Sequence, residues 1–192
     1  MRNLMLSTAL TLVSSLAIAA PSSWAIDASH SRVSFSVPHM VVSEVEGNFR
    51  EFKGKVELDE ADPTKSSVDF SIPVSSINTD NADRDKHLKS ADFFDAEKFP
   101  NIDFKSSKIS KAGSGYKIAG NLTIRGITKP VTLAASLSNS LQNPWGKSVR
   151  SVKVSGKIKR QDFGLTWNKT LDKGGVLVGD MVTIDVKLEL NK

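Results

Sequence analysis

Strict alternation of apolar and polar residues runs through most of this 192-residue chain. A period of two is typical of a β-strand that has one buried face and one wet face. The alternation recurs in eight segments, which are 33–37, 49–58, 68–74, 102–104, 116–124, 131–137, 152–158 and 182–190. No regular amphipathic helix alternates with these segments, so the pattern predicts an all-β protein rather than a parallel α/β sheet.

The connections between the predicted strands are short. Residues 113–115 join the fourth and fifth strands, and residues 125–130 join the fifth and sixth, with Pro130 at a strand entry where its missing N–H is tolerated. Short connections imply antiparallel neighbours. Eight antiparallel strands with one apolar face can close into a barrel or split into a sandwich, and periodicity does not choose between the two. We favour an eight-stranded antiparallel barrel.

The first 25 residues have the composition of a secretory signal peptide. Arg2 is followed by an apolar run over 4–20, and Ser23-Trp24-Ala25 has the small-x-small pattern of a cleavage site. The alternative is an uncleaved membrane anchor, but the run is slightly short for the roughly 20 residues of a spanning helix. We therefore predict a signal peptide over 1–25 and one exported domain over 26–192, with no stable membrane insertion of the mature chain.

Composition excludes several classes of function. The chain has no cysteine, which rules out disulfides, thiolate catalysis and cysteine-ligated metals. Its net charge of +5 is modest, and the lysines are dispersed rather than interleaved with aromatic residues, so nucleic-acid binding is not predicted.

No catalytic or metal-binding motif stands out. The chain lacks a Gly-x-Ser-x-Gly elbow, a phosphate loop and a dinucleotide fingerprint, and Ser31 beside His30 would point to the opposite face of a strand. The histidines have no ligand spacing on a shared strand face, and the acidic turn around Asp83 lacks the glycine and distal glutamate of an EF-hand. We predict no enzyme activity and no metal site.

Small residues fall on the inward face of four predicted strands. They are Gly54, Gly120, Ala135 and Gly156. One interpretation is that they leave space for a ligand in the barrel, since an eight-stranded barrel can hold one small molecule. The other is that they mark places where strands coil sharply or approach closely.

A long insertion separates the third and fourth predicted strands, over 78–100. Loops of this length are usually functional or disordered, and the three phenylalanines Phe93, Phe94 and Phe99 argue against disorder. We expect a partly helical insertion whose phenylalanines pack on the mouth of the barrel.

Several short motifs occur in a characteristic order along the chain. They are Ile26-Asp27 with His30-Ser31, Gly47-x-Phe49, Arg84-Asp85-x-His87-Leu88, Asp92-Phe93-Phe94-Asp95, Leu122-Thr123-Ile124-Arg125-Gly126-x-Thr128-Lys129-Pro130, and Asp162-Phe163-Gly164-Leu165-x-Trp167. In this order and spacing the chain resembles the YceI-like family of secreted bacterial proteins.

The resemblance implies a lipocalin-like antiparallel barrel, usually periplasmic. Its lumen would bind an isoprenoid-type lipid, such as a polyprenyl chain or a quinone tail, and the protein would act as a carrier, a store or a scavenger linked with stress responses. An alternative is a barrel with a filled core that acts through its surface as an interaction or stress protein. A third hypothesis is an enzyme that acts on a lipid bound in the lumen.

The candidate ligand-binding residues divide into three groups. Candidates for the lumen wall are Phe35, Phe70, Phe104, Ile118, Leu122, Leu133 and Ile158. Candidates for the closing segments are Phe93, Phe94, Phe99, Phe163 and Trp167. Candidates near a head group are Arg84 and His87, since both offer polar nitrogens.

Each group has a simpler explanation. The apolar residues could form an ordinary barrel core. Arg84 could pair with Asp83 or Asp85, and His87 could anchor the insertion. We expect no cofactor apart from the lipid. A dimer would need a surface other than a strand edge, because a closed barrel has no free edges.

Overall fold

The structure, a computed structural model, describes residues 21–171 and 174–192. The strands are β1 (Ser22–His39), β2 (Ser43–Phe49), β3 (Lys53–Leu58), β4 (Ser67–Pro73), β5 (Ile77–Asn78), β6 (Asn101–Ala112), β7 (Gly115–Ile124), β8 (Ile127–Leu137), β9 (Leu141–Gln142), β10 (Ser148–Lys159) and β11 (Met181–Asn191). One α-helix, α1 (Ala82–Lys89), and the 3-10 turns Pro63–Lys65, Val74–Ser76 and Arg160–Phe163 complete these elements.

Eight of the strands form a closed antiparallel ring. Their order is β1, β3, β4, β6, β7, β8, β10 and β11, and β11 pairs with β1 to close the ring. The closing pair extends from Ala25 opposite Asn191 to Ser36 opposite Thr183. The predicted eight-stranded barrel with a long, partly helical insertion is therefore confirmed.

The second predicted strand differs from the structure. Residues 49–58 belong to two strands, because β2 ends at Phe49 and β3 begins at Lys53. The long strand β1 pairs with β3 through Ser22–Trp24 and with β2 from Val33 onward. The alternation in β2 is weak because its inward position 47 is a glycine, and the Phe35 ring covers this glycine.

β1 begins four residues before the predicted mature start at Ile26. Ser22, Ser23 and Trp24 pair with Leu58, Glu57 and Val56 of β3. The Trp24 side chain is only 1% exposed and belongs to the hydrophobic core. The proposed cleavage after Ala25 remains a prediction, and most of the predicted signal peptide lies outside the described residues.

The helix α1 is a short, capped element on the insertion. The Asn81 side chain accepts a hydrogen bond from the Arg84 amide at 2.9 Å, which satisfies a free donor of the first turn. Acidic residues lie in the first turn and basic residues in the last, as the helix dipole favours. Within 21–171 and 174–192, no helix has the length and apolar character needed to cross a membrane.

The inward glycines do not leave open space. A Cβ atom at Gly54 would lie 2.6 Å from the Phe70 ring, and one at Gly120 would lie 2.5 Å from the Phe104 ring. At Gly156 the same position is taken by Leu133. At these three positions neighbouring side chains occupy the space, so the glycines leave no room for a ligand, whereas Ala135 lines the interior cavity.

A polar cluster marks an irregularity in β1. The register of β1 against β11 shifts between Asp27 and Arg32. Asp27 Oδ1 accepts hydrogen bonds from the Ser29 amide and hydroxyl, and Asp27 Oδ2 lies 3.1 Å from His30 Nδ1. The bonds from Ser29 and His30 lower the pKa of Asp27 to about 2, and the contact with Asp27 raises the pKa of His30.

Replacing Trp24 by alanine should destabilise the fold strongly. Removing a buried tryptophan typically costs about 3–5 kcal/mol, through lost burial and the cavity left behind. We expect the free energy of unfolding in urea to fall by about this amount. Trp145→Ala is the matched control, because Trp145 is 83% exposed and its loss should change stability by less than about 0.5 kcal/mol. The measurement uses protein that retains residues 21–192, because processing after Ala25 would remove Trp24, and a silent Trp24→Ala in that chain would contradict the core role of Trp24.

The Asp27–His30 contact predicts a pH dependence. The folded-state pKa of His30 lies above its unfolded value, so its contribution to stability is present below the unfolded pKa and is lost as pH rises through the folded pKa. Asp27 has a lowered pKa, so its contribution is present above its unfolded pKa and is lost as pH falls towards about 2. NMR titration should place the His30 pKa above about 6.5. Asp27→Asn should lower the pKa of His30 more than Glu189→Gln does. Equal shifts would contradict the conclusion that Asp27 is the main cause of the raised pKa.

Candidate functional site

The inward side chains of the barrel enclose a cavity of about 270 Å³. Its wall is almost wholly apolar, with contributions from every strand of the closed ring and from the insertion. For comparison, an engineered apolar cavity of about 150 Å³ stays dry and binds benzene. The barrel therefore has an interior that suits a hydrocarbon rather than a polar molecule.

Nine of the fourteen predicted site residues line this cavity. They are Phe35, Phe70, Phe93, Phe94, Phe104, Ile118, Leu122, Leu133 and Ile158. The remainder of the wall comes mostly from other residues of the predicted apolar faces, for example Val33, Val56, Val152 and Val186. The alternation identified which face points inward, but it did not rank residues along that face.

The insertion closes one end of the cavity. Leu88 of α1 and the following Phe93 and Phe94 contribute to the wall. Phe93 is buried, and the Phe94 ring packs edge-on against Phe49 at 6.5 Å between centroids. Two of the three phenylalanines predicted to pack on the mouth therefore reach the cavity.

Arg84 lies outside the set of residues that line the cavity. Its Nε donates to Thr79 Oγ1 at 2.8 Å and its Nη2 donates to the Thr79 carbonyl at 2.7 Å. Asp85 accepts from the Thr79 amide and hydroxyl. The expected pairing of Arg84 with Asp83 or Asp85 is therefore not what the structure shows, because Arg84 and Asp85 bind the same threonine instead.

His87 holds the insertion to a neighbouring loop. Its Nε2 lies 3.0 Å from Asp92 Oδ2, and its ring meets the rings of Phe93 and Trp167 edge-on. The Phe93 and Trp167 centroids are 5.2 Å apart. Since Phe93 also lines the cavity, His87 and Trp167 support the closing segment from behind and do not line the cavity themselves.

Phe99 and Phe163 pack away from the cavity. The Phe99 ring covers Gly126 in the turn between β7 and β8. Phe163 is 2% exposed and belongs to the hydrophobic core. Their positions fit the simpler explanation, ordinary packing, better than direct contact with a ligand.

Arg160 is a cavity residue that sequence reasoning missed. It is buried at the end of the β10 face, one inward position beyond Ile158. Its guanidinium donates to the carbonyls of Leu165, Trp167, Val178 and Gly179 at 2.6–3.3 Å. Burial lowers the pKa of Arg160, and Asp180 opposes that shift. In the sequence, Arg160 continues the two-residue spacing of the inward residues of β10, and a basic residue at such a position was the signal that could have revealed it.

Among residues 21–171 and 174–192, one group of side chains could offer three ligands to a metal ion, and it is the Asp27 cluster. Asp27, His30 and Glu189 bring one ligand atom each within 4.8 Å of one another. Within it, Asp27 is already hydrogen-bonded to Ser29 and His30, and Glu189 Oε1 lies 3.8 Å from His30 Nδ1. The cluster also lies apart from the residues that line the cavity.

Comparison with known proteins supports one family. The model of the YceI-like domain matches residues 24–190. The protein named YceI of Salmonella newport is 41% identical over 137 residues, which cover 71% of this chain and 72% of that protein.

Two solved structures illustrate the shared fold. BcnA of Burkholderia cenocepacia is 27% identical and superposes with a TM-score of 0.75, covering 85% of this chain and 98% of that one. A polyisoprenoid binding domain from Saccharophagus degradans is 14% identical, with a TM-score of 0.58 and coverage of 87% and 97%. The second likeness concerns the fold alone. From the family match and the identity to its relatives, the chain belongs to the YceI-like family.

Proposed function

We propose that this protein is a periplasmic lipid-binding protein that holds an isoprenoid-type lipid in the barrel lumen as a carrier, a store or a scavenger. The observation that carries the proposal is the apolar cavity of about 270 Å³ inside a closed barrel. The ligand class is a polyprenyl chain or a quinone tail. The protein binds this lipid without transforming it.

The wall explains how such a ligand would be held. Burying one CH₂ group is worth about 0.8 kcal/mol, whereas a net hydrogen bond to a head group adds about 1 kcal/mol. Most of the affinity therefore comes from removing the chain from water. The aromatic rings of Phe35, Phe70 and Phe104, which line the cavity, offer large apolar contact areas for this purpose.

Two further observations support the proposal. The structural neighbour from Saccharophagus degradans carries the name of a polyisoprenoid binding domain. The apolar run over 4–20 and the small residues after it have the pattern of an export signal, which supports a periplasmic location.

Partly filling the lumen should weaken ligand binding more than tenfold. Ala135 faces the cavity from β8, and Ala135→Phe would place a ring in the space of the lipid chain. Displacing two CH₂ groups of the ligand costs about 1.6 kcal/mol, which is more than a tenfold loss of affinity. The measurement is a titration of the protein, stripped of lipid, with geranylgeraniol.

Ala134→Phe is the matched control for this experiment. Ala134 is the preceding residue of the same strand and is exposed on the outer face. Its replacement adds the same ring outside the barrel, so the affinity should stay within about twofold of the wild type. Equal affinities of the two variants, or no binding by the wild type, would contradict a ligand in the lumen and favour a filled-core barrel that acts through its surface.

A further inference from the structure

At the end of β10 opposite α1, a second arginine continues the inward phase of the strand beyond the residues that line the cavity. Inward positions of β10 alternate, and Val152, Val154 and Ile158 all line the cavity. Arg150 has the same phase, one inward position before Val152, and lies opposite Leu190 of β11. Leu190 lines the cavity and is completely buried. Arg150 and Arg160 thus mark opposite ends of one strand face, at most ~33 Å apart for ten residues of strand.

Arg150 lies against Trp24 at this end. The centre of the Arg150 guanidinium is 5.9 Å from the Trp24 ring centroid, within the range of a cation–π contact. The Trp24 side chain is buried, with an exposure of 1%. Trp24 pairs with Val56 of β3, so the two side chains point to the same face of the sheet, and Val56 lines the cavity.

These two side chains have buried donors without partners. Among the atoms of residues 21–171 and 174–192, Trp24 Nε1, Arg150 Nε and Arg150 Nη1 are buried and make no hydrogen bond. A buried donor that lacks an acceptor costs about 1–3 kcal/mol, and more when the group is charged. A folded barrel that retains three such donors together has an energetic reason to bind an acceptor there.

The neighbouring charges do not satisfy Arg150. Lys192 lies 5.8 Å from the same Trp24 ring, but its ammonium binds Glu60 Oε1 at 3.1 Å and Ser22 Oγ at 2.9 Å. Arg160, at the other end, is bound by four backbone carbonyls and is therefore fully engaged. Within the described parts of the chain, Arg150 makes no ion pair.

We propose that Arg150 and Trp24 form a subsite for an anionic oxygen group, a carboxylate or a phosphate, at one end of the lipid held in the lumen. Guanidinium and indole nitrogens only donate hydrogen bonds, so the occupant must accept them. Arginine and carboxylate or phosphate form charge-assisted bonds that are about twice as strong as neutral ones. This inference rests on the proposed function, and it adds that the lipid is acidic rather than a neutral hydrocarbon or a plain alcohol.

The test compares three ligands with one chain and different ends. Geranylgeraniol, geranylgeranoic acid and geranylgeranyl phosphate are titrated by calorimetry at pH 7.5 into lipid-stripped protein that retains residues 21–192, because processing after Ala25 would remove Trp24. The subsite predicts that at least one acid binds about tenfold or more tightly than the alcohol. Whichever of the two acids binds more tightly shows whether a carboxylate or a phosphate is the better occupant.

Variants then assign the preference to its residues. Arg150→Met should remove the preference for the acid and leave the affinity for the alcohol within about twofold, which also shows that the lumen is intact. Trp24→Phe retains the ring and removes its N–H, so it should reduce the preference by a smaller factor. Lys153→Met is the matched control, since Lys153 is exposed on the outer face of the same strand, and it should retain the full preference.

Two results would overturn the inference. If the wild type binds all three ligands equally, the donors are satisfied by water alone and the subsite does not exist, although the lumen still binds lipid. If Arg150→Met retains the preference, the acid is recognised elsewhere. Failure of every ligand to bind would instead contradict the proposed function itself, so the two failures are distinguishable.

Discussion

The antiparallel pairing of β1 with β11 is the constraint on which the other features depend. Without this pair the sheet would have two open edges, and its apolar face would have to pack on a second layer. With it, the apolar face becomes the inner wall of one enclosed space. The pairing extends over most of β1, from Ala25 to Ser36, and it accommodates a register shift after Asp27. On its other edge the same long strand contacts β3 near its start and β2 near its end.

The two ends of the lumen are closed by different means. At one end, the insertion places Leu88, Phe93 and Phe94 against the cavity, supported from behind by His87 and Trp167. At the other end, Trp24 packs against Arg150, and both side chains lie beyond the residues that line the cavity. Each end also has an inward arginine, but Arg160 has carbonyl partners whereas Arg150 has buried donors that remain free within the described residues. The two arginines therefore differ in whether the protein itself supplies hydrogen-bond acceptors for the guanidinium.

Sequence alone predicted the barrel well, because alternation along a strand reports directly which face is buried. The sequence predicted the strand boundaries less well where an inward position is a glycine, as at Gly47. A glycine has no side chain, so the alternation of apolar and polar residues is weaker there. The sequence left open whether the inward glycines provide space for a ligand, and the rings of Phe70 and Phe104 cover two of them. Contacts between distant residues, such as Phe70 over Gly54, depend on register and cannot be read from one strand.

The candidate site was predictable in its chemistry but not in its details. Residues on the inward faces were expected to form the lumen wall, and nine of the fourteen chosen residues line the cavity, while their contact with a ligand stays a prediction. The polar residues were harder, because their roles depend on partners that the fold brings together. Arg84 was expected near a head group or an aspartate, and it binds Thr79 instead. Arg160 and Arg150 were overlooked, although both continue the inward phase of β10.

Native mass spectrometry of the protein purified from its own cells tests the central claim most directly. A lipid-binding lumen predicts a stoichiometric mass increment above the polypeptide, and organic extraction should release that increment as an isoprenoid-type lipid. A polypeptide mass without increment, unchanged after incubation with polyprenyl lipids and quinones, would contradict a lipid-binding lumen.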